Sequence, residues 1–125
     1  NTCVSGGCQF ACLPGFANLD GNALNGCEAT CLGTDLPDLG FTDANCDGID
    51  GDLALAIFVD TTSGNDGSPG TRVAPKKTIQ AGIAVAAGKN VYVSKGLYSE
   101  TLTLSSGVSV FGGYDAANGW SRATA

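Results

Sequence analysis

No histidine and no methionine occur in these 125 residues, and no lysine or arginine precedes Arg72. Without histidine, zinc sites of the Cys/His type are excluded. An all-cysteine zinc site is disfavoured as well, because no pair of Cys-x2-Cys knuckles is present. Absent too are a Gly-x-Ser-x-Gly elbow, a phosphate loop and a redox Cys-x-x-Cys, so catalysis has little support and the chain is expected not to be an enzyme. No apolar run is long enough to cross a bilayer, which predicts no membrane span. The opening at Asn1, with neither an initiator methionine nor a charged-then-apolar leader, reads as a mature exported product freed of its signal peptide.

What is present is unevenly spread. All six cysteines, Cys3, Cys8, Cys12, Cys27, Cys31 and Cys46, lie in the first 46 residues, and their spacing points to disulfides and an oxidising compartment. Six cysteines allow about fifteen pairings, so connectivity stays open. Charge is split in the same way. Residues 1–71 carry ten acids and no base, a charge of −10, whereas residues 72–125 carry six bases against Glu100 and Asp115, a charge of +4. Nucleic-acid binding is disfavoured, because the acidic half repels phosphate and the basic half has no dense stripe. The acids are better explained by cation binding than by attraction between unlike ends of neighbouring copies.

Three regions follow from the change in residue grammar. Residues 1–34 show neither strand nor helix periodicity and read as turns held by disulfides, with Phe10 and Phe16 as a miniature core. Residues 35–56 form an acidic connector. Within it Asp43, Asn45 and Asp47 place oxygens on alternate residues, Gly48 supplies a turn and Ile49 a backbone carbonyl, the front half of an EF-hand-like calcium loop. Position 12 of such a loop is Ala54 rather than glutamate, so Asp52 or Asp50 must complete the shell; calcium is the expected cofactor, and an ion-free Asx turn the alternative. Asp20, Asn22 and Glu28 are weaker candidates. Cys46 inside the loop predicts a disulfide clamp.

From residue 57 the pattern becomes β-rich. Residues 57–60 read as a strand, and residues 78–87 as a helix with Thr78 as N-cap and Gly88 as stop. Residues 90–94, 101–104 and 108–111 alternate as strands. They could form an antiparallel meander, or successive sides of a coil with Val91 and Val108 one turn apart. Gly112-Gly113 reads as a bend beside Tyr114, and Lys95 and Glu100 as solvated rim charges.

Three resemblances bear on these regions. Cys12-x-x-Gly15-Phe16-x-Asn18-x-Asp20-Gly21-Asn22-x-x-Asn25-Gly26-Cys27-Glu28 resembles a cysteine motif of secreted bacterial surface proteins and implies location rather than activity. The calcium-like segment resembles the shortened loops of thrombospondin type 3 and dockerin modules. The run Phe58-Val59-Asp60, Ser63-Gly64-Asn65-Asp66-Gly67, Lys77-Thr78-Ile79-Gln80-Ala81, Val91-Tyr92-Val93, Gly96-Leu97-Tyr98 and Gly107-Val108-Ser109-Val110-Phe111-Gly112-Gly113-Tyr114 resembles the opening of bacterial pectate-lyase-like proteins. That resemblance implies a mainly β fold: the start of a right-handed parallel β-helix with a short capping helix, after a small disulfide-rich irregular region at residues 1–34.

At most two rungs fit in residues 57–125, and repeat folds need about three to bury a continuous core. The open rung, with Val108, Val110, Phe111, Tyr114 and Trp120 as its assembly residues, is therefore expected to seek a cover. The expected function is a non-enzymatic, secreted structural protein of the bacterial surface, self-assembling head-to-tail into a filament or layer. Its partners would be copies of itself, other surface proteins or glycans. The alternative is the N-terminal cap of a longer β-helix adhesin or polysaccharide-lyase-like enzyme, and Trp120 could be a sugar platform, a packing lid or an interface anchor.

Overall fold

The computed structural model describes the backbone of residues 2–4 and 7–9 and residues 11–18, 26–27, 29–31 and 33–122. Phe10, Asp20, Asn22 and Glu28 lie outside the described residues, as do the side chains of Cys3 and Cys8.

The first region is turn-rich but not wholly irregular. Strand β1 (Thr2–Val4) pairs antiparallel with β2 (Gly7–Gln9), and β3 (Phe16–Ala17) with β4 (Ala29–Thr30). Strands this short have almost no ladder energy of their own. The Cys12–Cys27 disulfide, with Cα atoms 5.9 Å apart, closes the turns here, and Cys31–Cys46, at 5.4 Å, ties this region to the acidic loop. Phe16 is 47% exposed, so its expected place in a miniature core is not what the fold adopts.

The larger sheet has the order β5 (Ala56–Val59), β6 (Asn90–Ser94), β7 (Val110–Asp115), β8 (Ser121–Arg122). The first three strands are parallel neighbours, with Ile57 opposite Val91 and Val91 opposite Val110; only β8 runs antiparallel. The antiparallel meander is thereby ruled out. The coil repeat from Val91 reaches Val110 rather than Val108, and residues 101–104 are not a strand. Their alternation is used otherwise: the Gln80 side chain accepts from Thr103 N (2.7 Å) and donates to Thr103 O (3.4 Å), while Leu104 stays 69% exposed.

Period-2 alternation puts two kinds of side chain on the two faces. One face carries Ile57, Val59, Val91 and Val93 and is covered by helix α1 (Ile79–Val85) through Ile83, with Ala86 beside it. The other carries Phe58, Tyr92 and Tyr114, covered by Ile49 and Trp120. Burial of both faces explains why β5 and β6 are nearly continuous apolar runs. A bulge at Gly112-Gly113, where Gly113 has φ 87°, puts one extra residue into β7, so Phe111 and Tyr114 both face the aromatic side. The expected bend is this bulge.

Helix α1 begins as its sequence predicts, with the Thr78 hydroxyl accepting from Ala81 N (3.2 Å), and ends at Ala86 before two left-handed residues, Ala87 and Gly88. Gly82 lets it lie close to the sheet. A Cβ there would stand 2.7 Å from Val59 Cγ2 and 3.1 Å from Val91 Cγ1. Gly82→Ala is therefore expected to lower unfolding free energy by about 1–3 kcal/mol through overpacking, although alanine is the better helix former by about 1 kcal/mol. Urea denaturation checks the sign, and a stabilised variant would show that α1 shifts freely on the sheet.

Candidate functional site

Three places gather chemistry: the acidic loop, a cleft at the carboxyl ends of the parallel strands, and the outer edge of β7.

In the acidic loop the expected ligands converge on their own backbone. Asp47 N donates to both Asp43 Oδ1 (3.0 Å) and Asn45 Oδ1 (3.1 Å), and Gly48 N to Asp43 Oδ2 (2.8 Å). Asp47 accepts from Ile49 N (3.2 Å) and Leu53 N (2.8 Å), and Asp52 caps the short 3-10 turn Leu53–Leu55 through Ala54 N (2.8 Å). The Ile49 side chain is buried in the aromatic core, which pins the loop to the sheet. Among the described residues no group of three or more acids or cysteines is placed to hold a metal ion. The clamp at Cys46 is present as the bond to Cys31.

Two acids, Asp35 outside the calcium pattern and Asp50 a candidate to complete its shell, hold this loop in place. Asp35, buried, accepts from Ala44 N (3.1 Å) and Gly51 N (3.0 Å). Asp50, with 1% of its side chain exposed, accepts from Asp38 N (3.1 Å) and pairs with Arg122 Nη1 at 2.8 Å. The Tyr114 hydroxyl donates to the Asp50 carbonyl, and the Tyr92 hydroxyl accepts from Asp52 N (3.0 Å). Burial is the largest influence on both phenols and pushes their pKa above the ordinary value. Gly51, at φ 116°, is needed because a Cβ would strike the Tyr92 ring. The 35–56 segment is thus a lid on the aromatic face rather than a free connector. Spacing gave no sign of Asp35, nor of the fastening role of Asp50, because their partners lie 9 to 72 positions away.

The cleft, of about 330 Å³, is lined by Asp60, Ser63, Ser94, Lys95, Asp115 and neighbouring small residues. Parallel register brings Asp60, Ser94 and Asp115 together, since each ends or follows one of three adjacent strands. Burial raises the Asp60 pKa, but bonds from the Ser63 hydroxyl and amide, Thr62 N and Ser94 outweigh it and hold the carboxyl below its ordinary value. Ser94 Oγ also accepts from Ala116 N (3.1 Å), so both serine hydroxyls serve to fix turns. Lys95 pairs with Asp115 at 2.6 Å with 71% of its side chain exposed, a rim pair worth about 0–1 kcal/mol.

Glu100 is not a rim charge. Its two oxygens accept from Ile79 N (2.8 Å) and Gln80 N (2.9 Å), while Asp66 Oδ1 accepts from Lys77 N and Thr78 N, both at 2.8 Å. Carboxylates from two distant loops therefore satisfy the start of α1. The Thr78 amide is the chief reason the Asp66 pKa is lowered.

At the β7 edge the five expected assembly residues divide. Val108, Val110 and Phe111 are half-buried at the margin of the two cores, with Leu102 38% exposed nearby in sequence. Tyr114 (0% exposed) and Trp120 (4%) are interior: Trp120 stacks edge-on against Phe58 at 4.6 Å, and its indole N–H donates to Arg72 O (3.2 Å). Trp120 is thus the packing lid rather than a sugar platform.

Comparison with family models, curated proteins and solved structures gave no match for this chain. No helix among the described residues is long and apolar enough to cross a membrane.

The depressed carboxyls fix a pH dependence. Asp60 and Asp66 contribute stability that is present above the unfolded value of about 4 and is lost as pH falls through their lower folded values. Urea midpoints measured from pH 7 to pH 2.5 should fall below pH 4, and Asp66→Asn should flatten part of that fall. An identical acid limb in the variant would remove Asp66 from the account.

Proposed function

We propose that this chain is the N-terminal capping end of a parallel β-helix protein exported to the bacterial surface, with a structural or adhesive role rather than a catalytic one. One observation carries the reading: among the described residues the sheet is closed along one edge and left mostly uncovered along the other. Along β5, Phe58 N donates to Gly70 O (2.8 Å), Lys76 N to Phe58 O (2.9 Å) and Asp60 N to Lys76 O (2.8 Å), so residues 70–76 occupy that edge. On β7, among the described residues, the strand β8 pairs with Tyr114 and Asp115 alone. Arg122 Nε reaches Gly112 O (2.8 Å), and among the described residues nothing pairs Val110 or Phe111 on the outer side. A parallel stack with one finished and one unfinished edge is what a cap presents to the coil that follows.

The same asymmetry weighs on head-to-tail assembly. The β7 edge of one copy would meet a β5 edge already filled by residues 70–76, so the next rung is better supplied by continuing polypeptide. Association of copies is the second reading, favoured by the −10 and +4 halves of the chain. Other surface proteins or glycans are partners of the assembled coil. The two described disulfides support export to an oxidising compartment.

Calcium belongs to the proposal through the alternation of Asp43, Asn45, Asp47, Ile49 and Asp52; a carboxylate oxygen bonded to one N–H retains a lone pair for a cation. Calcium chloride at about 1–5 mM, the range of extracellular modules, is expected to raise Tm by several degrees over EGTA, and Asp47→Asn to abolish the rise. No change returns the loop to an Asx turn.

Hydrogen exchange tests the cap. The amides of residues 110–113 that face away from β6 should exchange rapidly in this chain alone. Adding about 20 residues from the continuing reading frame, one coil by the present spacing, should protect them at least tenfold. Protection that rises with concentration in the chain alone would favour joining of copies instead.

A further inference from the structure

The strand that limits the open edge is held down by the acidic loop. Arg122, 13% exposed, donates through Nη1 to Asp50 Oδ2 and to Asp38 O, each at 2.8 Å, and its guanidinium lies 5.3 Å from the Phe41 ring centroid and 5.5 Å from that of Tyr114. Every loop partner of this arginine belongs to residues 38–50. Asp50 follows Cys46 by four residues, and Cys46 sits at φ 60°, a left-handed conformation that a residue with a Cβ adopts only when its surroundings compel it. The Cys31–Cys46 bond is the covalent constraint at that position.

These contacts make a chain of dependence. Without the bond to Cys31, the turn that carries Asp50 would rest on the hydrogen bonds of Asp35 and Asp43 and on buried Ile49. Cys46 would be free to relax toward negative φ, carrying Asp50 with it. Arg122 is then a largely buried cation without its counter-ion, an arrangement more costly than exposure to water. Its escape would lift β8, which among the described residues has two residues of pairing to resist. We propose that the Cys31–Cys46 cross-link acts through the Asp50–Arg122 latch to hold β8 on β7, and so sets how much of the β7 edge is open to an incoming strand. The coupling stands on the latch alone; only its consequence for docking rests on the capping function proposed above.

The Cys12–Cys27 bond provides the internal control, because no described residue of the turns it closes hydrogen-bonds Asp50 or Arg122, although Cys31 N donates to Gly15 O (2.7 Å). In hydrogen exchange, Cys31→Ser/Cys46→Ser is expected to speed amides of residues 114–122 at least tenfold while residues 57–59 and 91–93 keep their protection. Cys12→Ser/Cys27→Ser should leave residues 114–122 unchanged. Arg122→Leu, with both disulfides intact, should reproduce the local loss without any change at cysteine. Unchanged protection at residues 114–122 in the Cys31→Ser/Cys46→Ser variant overturns the proposal. So does an equal loss across β5 and β6, which would mean that the bond only supports global stability, and so does a silent Arg122→Leu. If the local response appears but added downstream residues never protect residues 110–113, the latch stands and the capping function fails.

Discussion

A narrow sheet with valine and isoleucine on one face and phenylalanine and tyrosine on the other must be covered twice, and this chain has a single described α-helix with which to do it. Helix α1 serves the aliphatic face. The aromatic face is served by a loop of acids, asparagine and glycine, which works only because Ile49 and Trp120 supply the apolar contact and the polar groups around them bond one another. Buried carboxylates are tolerable under those terms, since Asp35 and Asp50 accept from backbone N–H groups and a guanidinium.

That constraint accounts for much of the acidity of the first half. Asp35, Asp50 and Asp47 are backbone acceptors in a segment with no regular ladder, doing for an irregular lid what strand pairing does for a sheet. Asp66 and Glu100 do the same for the first turn of α1. Charge that reads as a surface property in the sequence is, at these positions, the means by which loops are fastened. The Cys31–Cys46 bond belongs to the same system, because it anchors the loop at a residue whose backbone is otherwise unfavourable.

Under the capping function proposed above, the asymmetry of the two sheet edges would set the direction of growth. Residues 70–76 return along β5 with three backbone hydrogen bonds, whereas β8 covers β7 for two residues. Edge strands are commonly blunted by charge or by a covering loop. Here one edge is blunted and the other carries half-buried Val110 and Phe111, so a strand added at the second edge would bury apolar surface that one added at the first could not.

Local signals were sufficient for the parts of this structure that depend on neighbours in sequence. The β-branched runs of β5 and β6, the Thr78 cap and Gly88 stop of α1, the Gly112-Gly113 irregularity and the clamp at Cys46 were all legible, because strand period, capping and turn chemistry act over a few residues. Residues 101–104 misled for the same reason: their alternation satisfies strand period, but Thr103 bonds Gln80 instead of a strand. Which sheet neighbours pair in parallel, that Val91 meets Val110, that Glu100 reaches α1, and that Asp50 and Arg122 meet across 72 positions were decided only by the tertiary fold. Contacts over such separations leave no periodic trace, since they depend on where the packed sheet brings the chain back and not on the residues adjoining each partner.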